Sequence, residues 1–363
     1  MSDPSRLERA RAILNERSLD ALLVSRTAAK RWLSGFVLLP GEEPTAGWSG
    51  TLLLTAERAI LFADARYEQE AAGQCPGWEV RHTELPIHQE VPAAAGELGA
   101  RRIGAEAAVL SHADWTALAD AGLALEPIDR ELETLRLRKD AAEVDAIGRA
   151  CALTDACFAY LLDHVRPGMT EREIGWEIGS WFRNNGADGN AFDPLVLVGA
   201  RAAMPHGHPD QTEVRAGASV VIDFGAQVDG YRADMTRTIF FGQPDAEARR
   251  RYEAVRDAQQ RACEAAAVGV IGADLHALAR DVLAERGLGA AFTHGLGHGI
   301  GLETHEEPRL KSWKRPLQAG MVFTIEPGVY LPGEIGIRIE DTVHLTDAGA
   351  VRLTNSPREL LVL

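Results

Sequence analysis

Apolar positions along this chain fall into two registers, one of period near 3.6 and one of period two. Leu7, Ala10 and Leu14 recur at helical spacing, and Ala21-Leu22-Leu23-Val24 then runs apolar without interruption, as a buried strand does. Thr51-Leu52-Leu53-Leu54 and Ala59-Ile60-Leu61-Phe62 lie on either side of Glu57-Arg58, which predicts a hairpin. Ser111 stands where an N-cap would open a helix to about Ala121. Residues 1–126 therefore read as a small α/β domain, with a turn-rich insertion at Pro40-Gly41-Glu42-Glu43-Pro44. The charged stretch 127–136 reads as a linker.

A second domain is expected over 137–363, giving an α+β chain. Its helical pattern continues to about His164, and Thr170-Glu171-Arg172-Glu173 has capping-box spacing, with Ile174, Ile178 and Trp181 on one face behind it. Gly186 is placed to end that helix. Two further helices fit 246–267 and 274–286, and the other pieces after 190 read as strands. Period-two alternation sorts several polar residues onto shared faces: Arg338 with Glu340, Thr324 with Glu326, and Asp234 with Thr236 and Thr238. Asp223 shares a face with Val221, and Gly225 and Gly230 suit a turn that would pair the strands of Asp223 and Asp234.

Composition narrows the partners. The formal charge of −15 argues against a nucleic-acid partner, because binding phosphates needs a basic surface. No apolar run approaches the length needed to cross a membrane, and the N-terminus has no signal-peptide core. Four cysteines, at 75, 151, 157 and 263, show no framework spacing, so reduced thiols and a cytoplasmic location are expected.

The chemistry concentrates in Asp223, Asp234, His298, Glu326 and Glu340. Four carboxylates and one imidazole can hold two divalent ions, and oxygen-rich ligation with one His suits Mn, with Co, Zn or Fe(II) as alternatives. The histidines are also unevenly spread: six of eleven, at 206, 208, 276, 294, 298 and 305, fall within 206–305.

Three stretches, IDFGAQVDGYRADMTRTIFF from Ile222, HGLGHGIGLETHEEP from His294 and TIEPGVYLPGEIGIRIED from Thr324, resemble the pita-bread metallopeptidases. Met204-Pro205-His206-Gly207 is similar to the Pro-His-Gly element of the proline-specific branch, which includes prolidase and aminopeptidase P. That branch has an N-terminal domain like residues 1–126. The resemblance implies a pita-bread catalytic domain and hydrolysis of the bond between an N-terminal residue and proline. Both dipeptidases and aminopeptidases of the branch share these motifs.

It further implies that Asp223 binds one ion, His298 and Glu326 the other, and that Asp234 and Glu340 bridge. His206 and His305 would contact the scissile carbonyl, and Glu326 would also act as acid and base. Tyr231, His294, Arg309 and Arg338 would line the pocket or support the ligands, with Arg309 able to receive a substrate carboxylate. A homodimer is implied, in which an N-terminal segment carrying Trp32, Phe36 and Trp48 limits the partner's site. The same fold also occurs as catalytically silent binding modules and as metal-free creatinase-type amidinohydrolases. The complete ligand set argues against both.

Overall fold

The structure, a computed structural model, describes residues 4–38 and 47–363; the insertion expected at 40–44 lies outside the described residues. The chain divides into two compact units, Met1–Arg136 and Leu137–Leu363. In the first, β1 (Ala21–Val24), β2 (Thr51–Thr55), β3 (Ala59–Ala63), β4 (Glu79–His82), β5 (Arg102–Ala105) and β6 (Ala124–Pro127) form one sheet in the order β4-β3-β2-β1-β5-β6. The expected hairpin is β2–β3, antiparallel, with Leu52 opposite Leu61. Both neighbours of β1 follow from its wholly buried Ala-Leu-Leu-Val run: it pairs antiparallel with β2 and parallel with β5.

Among the described residues, this unit also carries helices α1 (Pro4–Arg17), α2 (Thr27–Ser34), α3 (Glu68–Gln74), α4 (Ile87–Glu97), α5 (His112–Asp120) and α6 (Asp129–Leu135). Ser111 caps α5 as expected, its side chain accepting from Asp114 N–H. Residues 127–136 hold the end of β6 and then α6. Ile128 and Leu132, four apart in a charged run, are both buried and give that segment an anchored face. Trp32 and Phe36 are buried within their own unit, Trp32 beneath the guanidinium groups of Arg6 and Arg9 and Phe36 edge-on to Tyr67.

The second unit contains α7 (Ala141–His164), α8 (Glu171–Asn184), α9 (Ala246–Ala265) and α10 (Gly272–Ala284). Thr170 and Glu173 form the expected capping box of α8, and Asp140 with Glu143 form another at α7. Strands β8 (Leu195–Val198), β9 (Ser219–Phe224), β12 (Met235–Phe240) and β18 (Leu361–Val362) make a sheet in the order β18-β12-β9-β8. One core joins Phe158, Ile174, Ile178 and Phe182 of α7 and α8 to Val220, Ile222, Met235 and Ile239 of that sheet. A second core joins α9 and α10 to β13 (Val322–Ile325), β15 (Ile335–Arg338) and β16 (Asp341–Thr346) through Val255, Ala279, Phe323, Ile325, Ile337 and Val343. In both, alternate strand residues enter the core, and Asp223 and Arg338, on the opposite faces of β9 and β15, turn toward the polar cleft.

β9 and β12 pair antiparallel with Asp223 opposite Thr236, so the two ligand-bearing segments do come together. The route between them differs from a simple turn. Residues 226–232 make a separate hairpin, β10 (Ala226–Val228) and β11 (Tyr231–Arg232), in a sheet with β7 (Gly189–Asn190). Gly230 takes a left-handed φ of 73° in that hairpin. Gly225 instead lies against the Ala233 carbonyl, where a Cβ has no room.

Candidate active site

Asp223, Asp234, His298, Glu326 and Glu340 all line one cleft of about 710 Å³ in the second unit. Each reaches it from a different element: Asp223 from β9, Asp234 from the residue before β12, Glu326 from the end of β13, and Glu340 from between β15 and β16. His298 sits in a loop that lies directly on β13. Thr324 N–H donates to the His298 carbonyl at 2.8 Å, and Glu326 N–H donates to the Leu296 carbonyl at 2.8 Å. That approach explains Gly297, because any Cβ there would run into the Thr324 carbonyl.

One acceptor atom each from Asp234, His298 and Glu340 lies within 4.8 Å of the others. His298 Nε2 is 3.4 Å from Glu326 Oε1 and 3.7 Å from Asp234 Oδ2. His298 Nδ1 lies 3.1 Å from the Gly299 carbonyl, so it carries the proton and leaves Nε2 as a free lone pair. Burial first, and then His305, lower its pKa to about 3. The imidazole is therefore neutral and able to ligate.

The carboxylates are under opposite strain. Burial, followed by Glu340 and Asp223, pushes Asp234 well above the usual range; burial, then Glu326 and Asp223, does the same to Glu340. Burial lifts Glu326 to about 7, against the pull of Arg338. Among the described residues, Asp223 Oδ1, Asp234 Oδ1 and Glu340 Oε1 are buried without a hydrogen-bond partner. Unpaired carboxylate oxygens are costly inside a protein, and a divalent cation cancels both their desolvation and their mutual repulsion. Hard oxygen donors plus one neutral imidazole fit such ions.

Around this floor runs a hydrogen-bond network that keeps the remaining lone pairs aimed away from it. Arg338 donates to Asp223 Oδ2 through Nη2, to Thr236 Oγ1 through Nε at 3.0 Å, and to Tyr330 Oη through Nη1 at 2.7 Å. Thr236 Oγ1 in turn donates to Glu340 Oε2 at 2.6 Å. His294 Nδ1 lies 2.7 Å from the Gly295 carbonyl and Nε2 lies 2.8 Å from Tyr330 Oη, so the tyrosine hydroxyl donates to His294. Arg338 and His294 thus line the cleft beside the carboxylates, and Tyr330, which joins them, was missed. Its signal was available, since β14 (Gly328–Leu331) pairs with β15 and brings Tyr330 alongside Arg338.

Residues 145–347 match metallopeptidase family M24, and residues 6–138 match the creatinase/prolidase N-terminal domain. The chain belongs to metallopeptidase family M24. Its sequence is 33% identical over 357 residues to the Xaa-Pro dipeptidase of Pyrococcus furiosus, covering 98% of this chain and 99% of that one. The solved Xaa-Pro dipeptidase from Bacillus anthracis superposes with a TM-score of 0.93 at 35% identity, covering 99% of each chain. An X-Pro aminopeptidase from Thermotoga maritima superposes at 0.88 with 34% identity, covering 99% of this chain and 100% of that one. The fold is thus a creatinase-type N-terminal domain followed by the M24 pita-bread domain.

In this M24 chain, His206, His305 and Arg309 are exposed residues on the walls of the same cleft. His305 packs edge-on to His298, ring centroids 4.4 Å apart, and burial followed by Arg309 lowers its pKa. Its loop is held from beneath by a buried ion pair: Lys139 Nζ is 2.8 Å from Oε2 of Glu306. Arg309 has its guanidinium toward the cleft with no hydrogen-bond or ion-pair partner among the described residues, and Lys311 lines the same wall. Tyr231 does not line the cleft. Its hydroxyl donates to Glu143 Oε1 at 3.0 Å, and its ring packs on the small core around Ile147 and Ala233, because β11 turns it toward α7.

Proposed function

We propose that this M24 metallopeptidase is an Xaa-Pro dipeptidase, using two divalent ions to release the residue ahead of proline. The observation that carries the reading is the polarity of the cleft: a floor of carboxylates with unpaired buried oxygens, and a wall bearing the unpartnered Arg309 beside Lys311. Asp223 would hold one ion, His298 and Glu326 the other, and Asp234 and Glu340 both, with manganese the best match to an oxygen-rich set and Co, Zn or Fe as alternatives. When bound, such ions supply Lewis acidity that activates water and polarises a carbonyl.

The chain's own residues account for the rest. Glu326 would take a proton from the attacking water and return it to the proline nitrogen, which carries no hydrogen of its own before cleavage and leaves poorly unprotonated. His206 and His305 would each donate a hydrogen bond to the carbonyl oxygen as charge builds on it. Arg309 would take the substrate's free carboxylate, a charge-assisted contact that only a dipeptide offers at that distance from the scissile bond.

A second reading, Xaa-Pro aminopeptidase, is favoured by the Thermotoga relative, whose identity to this chain is similar. Comparing wild-type kcat/KM on an Xaa-Pro dipeptide and on the same sequence extended by three residues tests the choice. Efficient cleavage of the longer peptide would sink the dipeptidase reading. A homodimer and a cytoplasmic location belong to the same proposal; the four free cysteines support a reducing compartment.

A further inference from the structure

His206 reaches the cleft from a tight turn. Gly207 N–H donates to the Met204 carbonyl at 3.0 Å, which puts Pro205 second and His206 third in the turn. The chain on either side is held at one point. Glu171, the first residue of α8, is fully buried. Its carboxylate accepts from Val198 N–H at 2.8 Å, before the loop, and from Asp210 N–H at 2.9 Å, after it.

Arg201, inside the loop, closes the arrangement. Its Nε lies 3.1 Å from both Glu171 oxygens, its Nη2 donates to the His208 carbonyl at 2.8 Å, and its Nη1 is 2.8 Å from Asp210 Oδ2. Both ends and the middle of segment 198–210 therefore converge on a single carboxylate. Helix formation does not require this, because α8 is already capped by Thr170 and Glu173. What Glu171 fixes is the loop.

We propose that Glu171 is a positioning residue for His206: through Val198, Arg201 and Asp210 it sets how far the Met204–Gly207 turn enters the cleft. The inference rests on the proposed catalytic role of His206. A buried carboxylate is expensive unless fully paired, and this one is paired entirely to the segment that carries the histidine. A neutral amide of equal size would turn an NH2 group toward one of the two N–H donors and release one end of the loop.

The test is steady-state kinetics on an Xaa-Pro dipeptide with metal-loaded wild type, Glu171→Gln, Arg201→Gln, His206→Ala and the double variants with His206→Ala, metal content measured for each. Because a misplacement near 1 Å can cost 10²-fold, Glu171→Gln and Arg201→Gln are expected to lower kcat by roughly 10–100-fold with full metal content and little change in KM. In the His206→Ala background, neither should lower kcat by more than about twofold, since they act through a residue already gone. Should Glu171→Gln fail to fold, Arg201→Gln, on the partly exposed partner, carries the same comparison. Equal losses with and without His206, or wild-type kcat in both anchor variants, would overturn the inference. A His206→Ala enzyme at wild-type rate would also overturn it while leaving the peptidase reading intact. A fully loaded wild type inert toward Xaa-Pro peptides would overturn that reading first, and this one with it.

Discussion

At the scale of single residues, the three unpartnered oxygens of Asp223, Asp234 and Glu340 say where a substitution should act on metal rather than on folding. Asp234→Ala or Glu340→Ala removes an acceptor shared by the cluster, so bound metal should fall well below the wild-type stoichiometry and turnover should disappear, while the circular dichroism spectrum stays near wild type. Mass-spectrometric metal analysis beside an activity assay checks this. Full occupancy with near-normal turnover would contradict the two-ion assignment. His206→Ala and His305→Ala should behave oppositely, keeping metal and losing ~10²–10³ in kcat, the usual cost of one oxyanion donor. Loss of metal in both would put these histidines among the ligands. Arg309→Ala should raise KM for an Xaa-Pro dipeptide and leave a tripeptide almost unchanged, because only the dipeptide has a carboxylate within reach. Equal effects on both substrates would favour the aminopeptidase reading.

At the scale of elements, local chemistry was most legible where one side chain settles one end of a helix. The α8 capping box was read correctly from Thr170 and Glu173, and Thr170→Ala is expected to cost about 1 kcal/mol, measurable as a lowered urea midpoint at constant slope. An unchanged midpoint would mean that pairing of this segment with Glu213 carries the helix start alone. The same pattern at Asp140 and Glu143 stood in the sequence and was overlooked, since the helix was traced from its apolar face. Face assignments also held: Thr324 and Glu326 are 3.3 Å apart, and Ile337 and Ile339 are in the core behind Arg338 and Glu340. What alternation could not give was the path of the chain between strands. Residues 226–232 form a hairpin in a different sheet, and that alone turned Tyr231 away from the cleft. Glu171 was legible only as a helix-start residue, because its partners at 198, 201 and 210 are set by tertiary structure.

At the scale of the whole molecule, the cleft's charge couples stability to pH once metal is removed. Glu326 has its folded pKa raised from 4.5 to about 7, so what it adds to stability is present below 4.5 and is lost as pH rises through 7. Asp234 and Glu340 shift in the same direction. Chelated protein should therefore melt at a progressively lower temperature as pH rises from 5 to 8, and resupplied manganese should recover most at the upper end. Thermal scans at several pH values check it; a chelated protein whose Tm is flat over that range would show that the carboxylates do not titrate as described. The ion pair beneath the His305 loop has a consequence on a longer timescale. Lys139 and Glu306 stand 167 positions apart in the chain, yet losing either takes a buried charge's ion-pair partner away, a cost of about 3–5 kcal/mol. Selection should reject each single change while tolerating their joint replacement by two apolar residues of similar volume. Across related lineages these two positions should be inherited as a unit, so that a descendant lacking the lysine also lacks the glutamate.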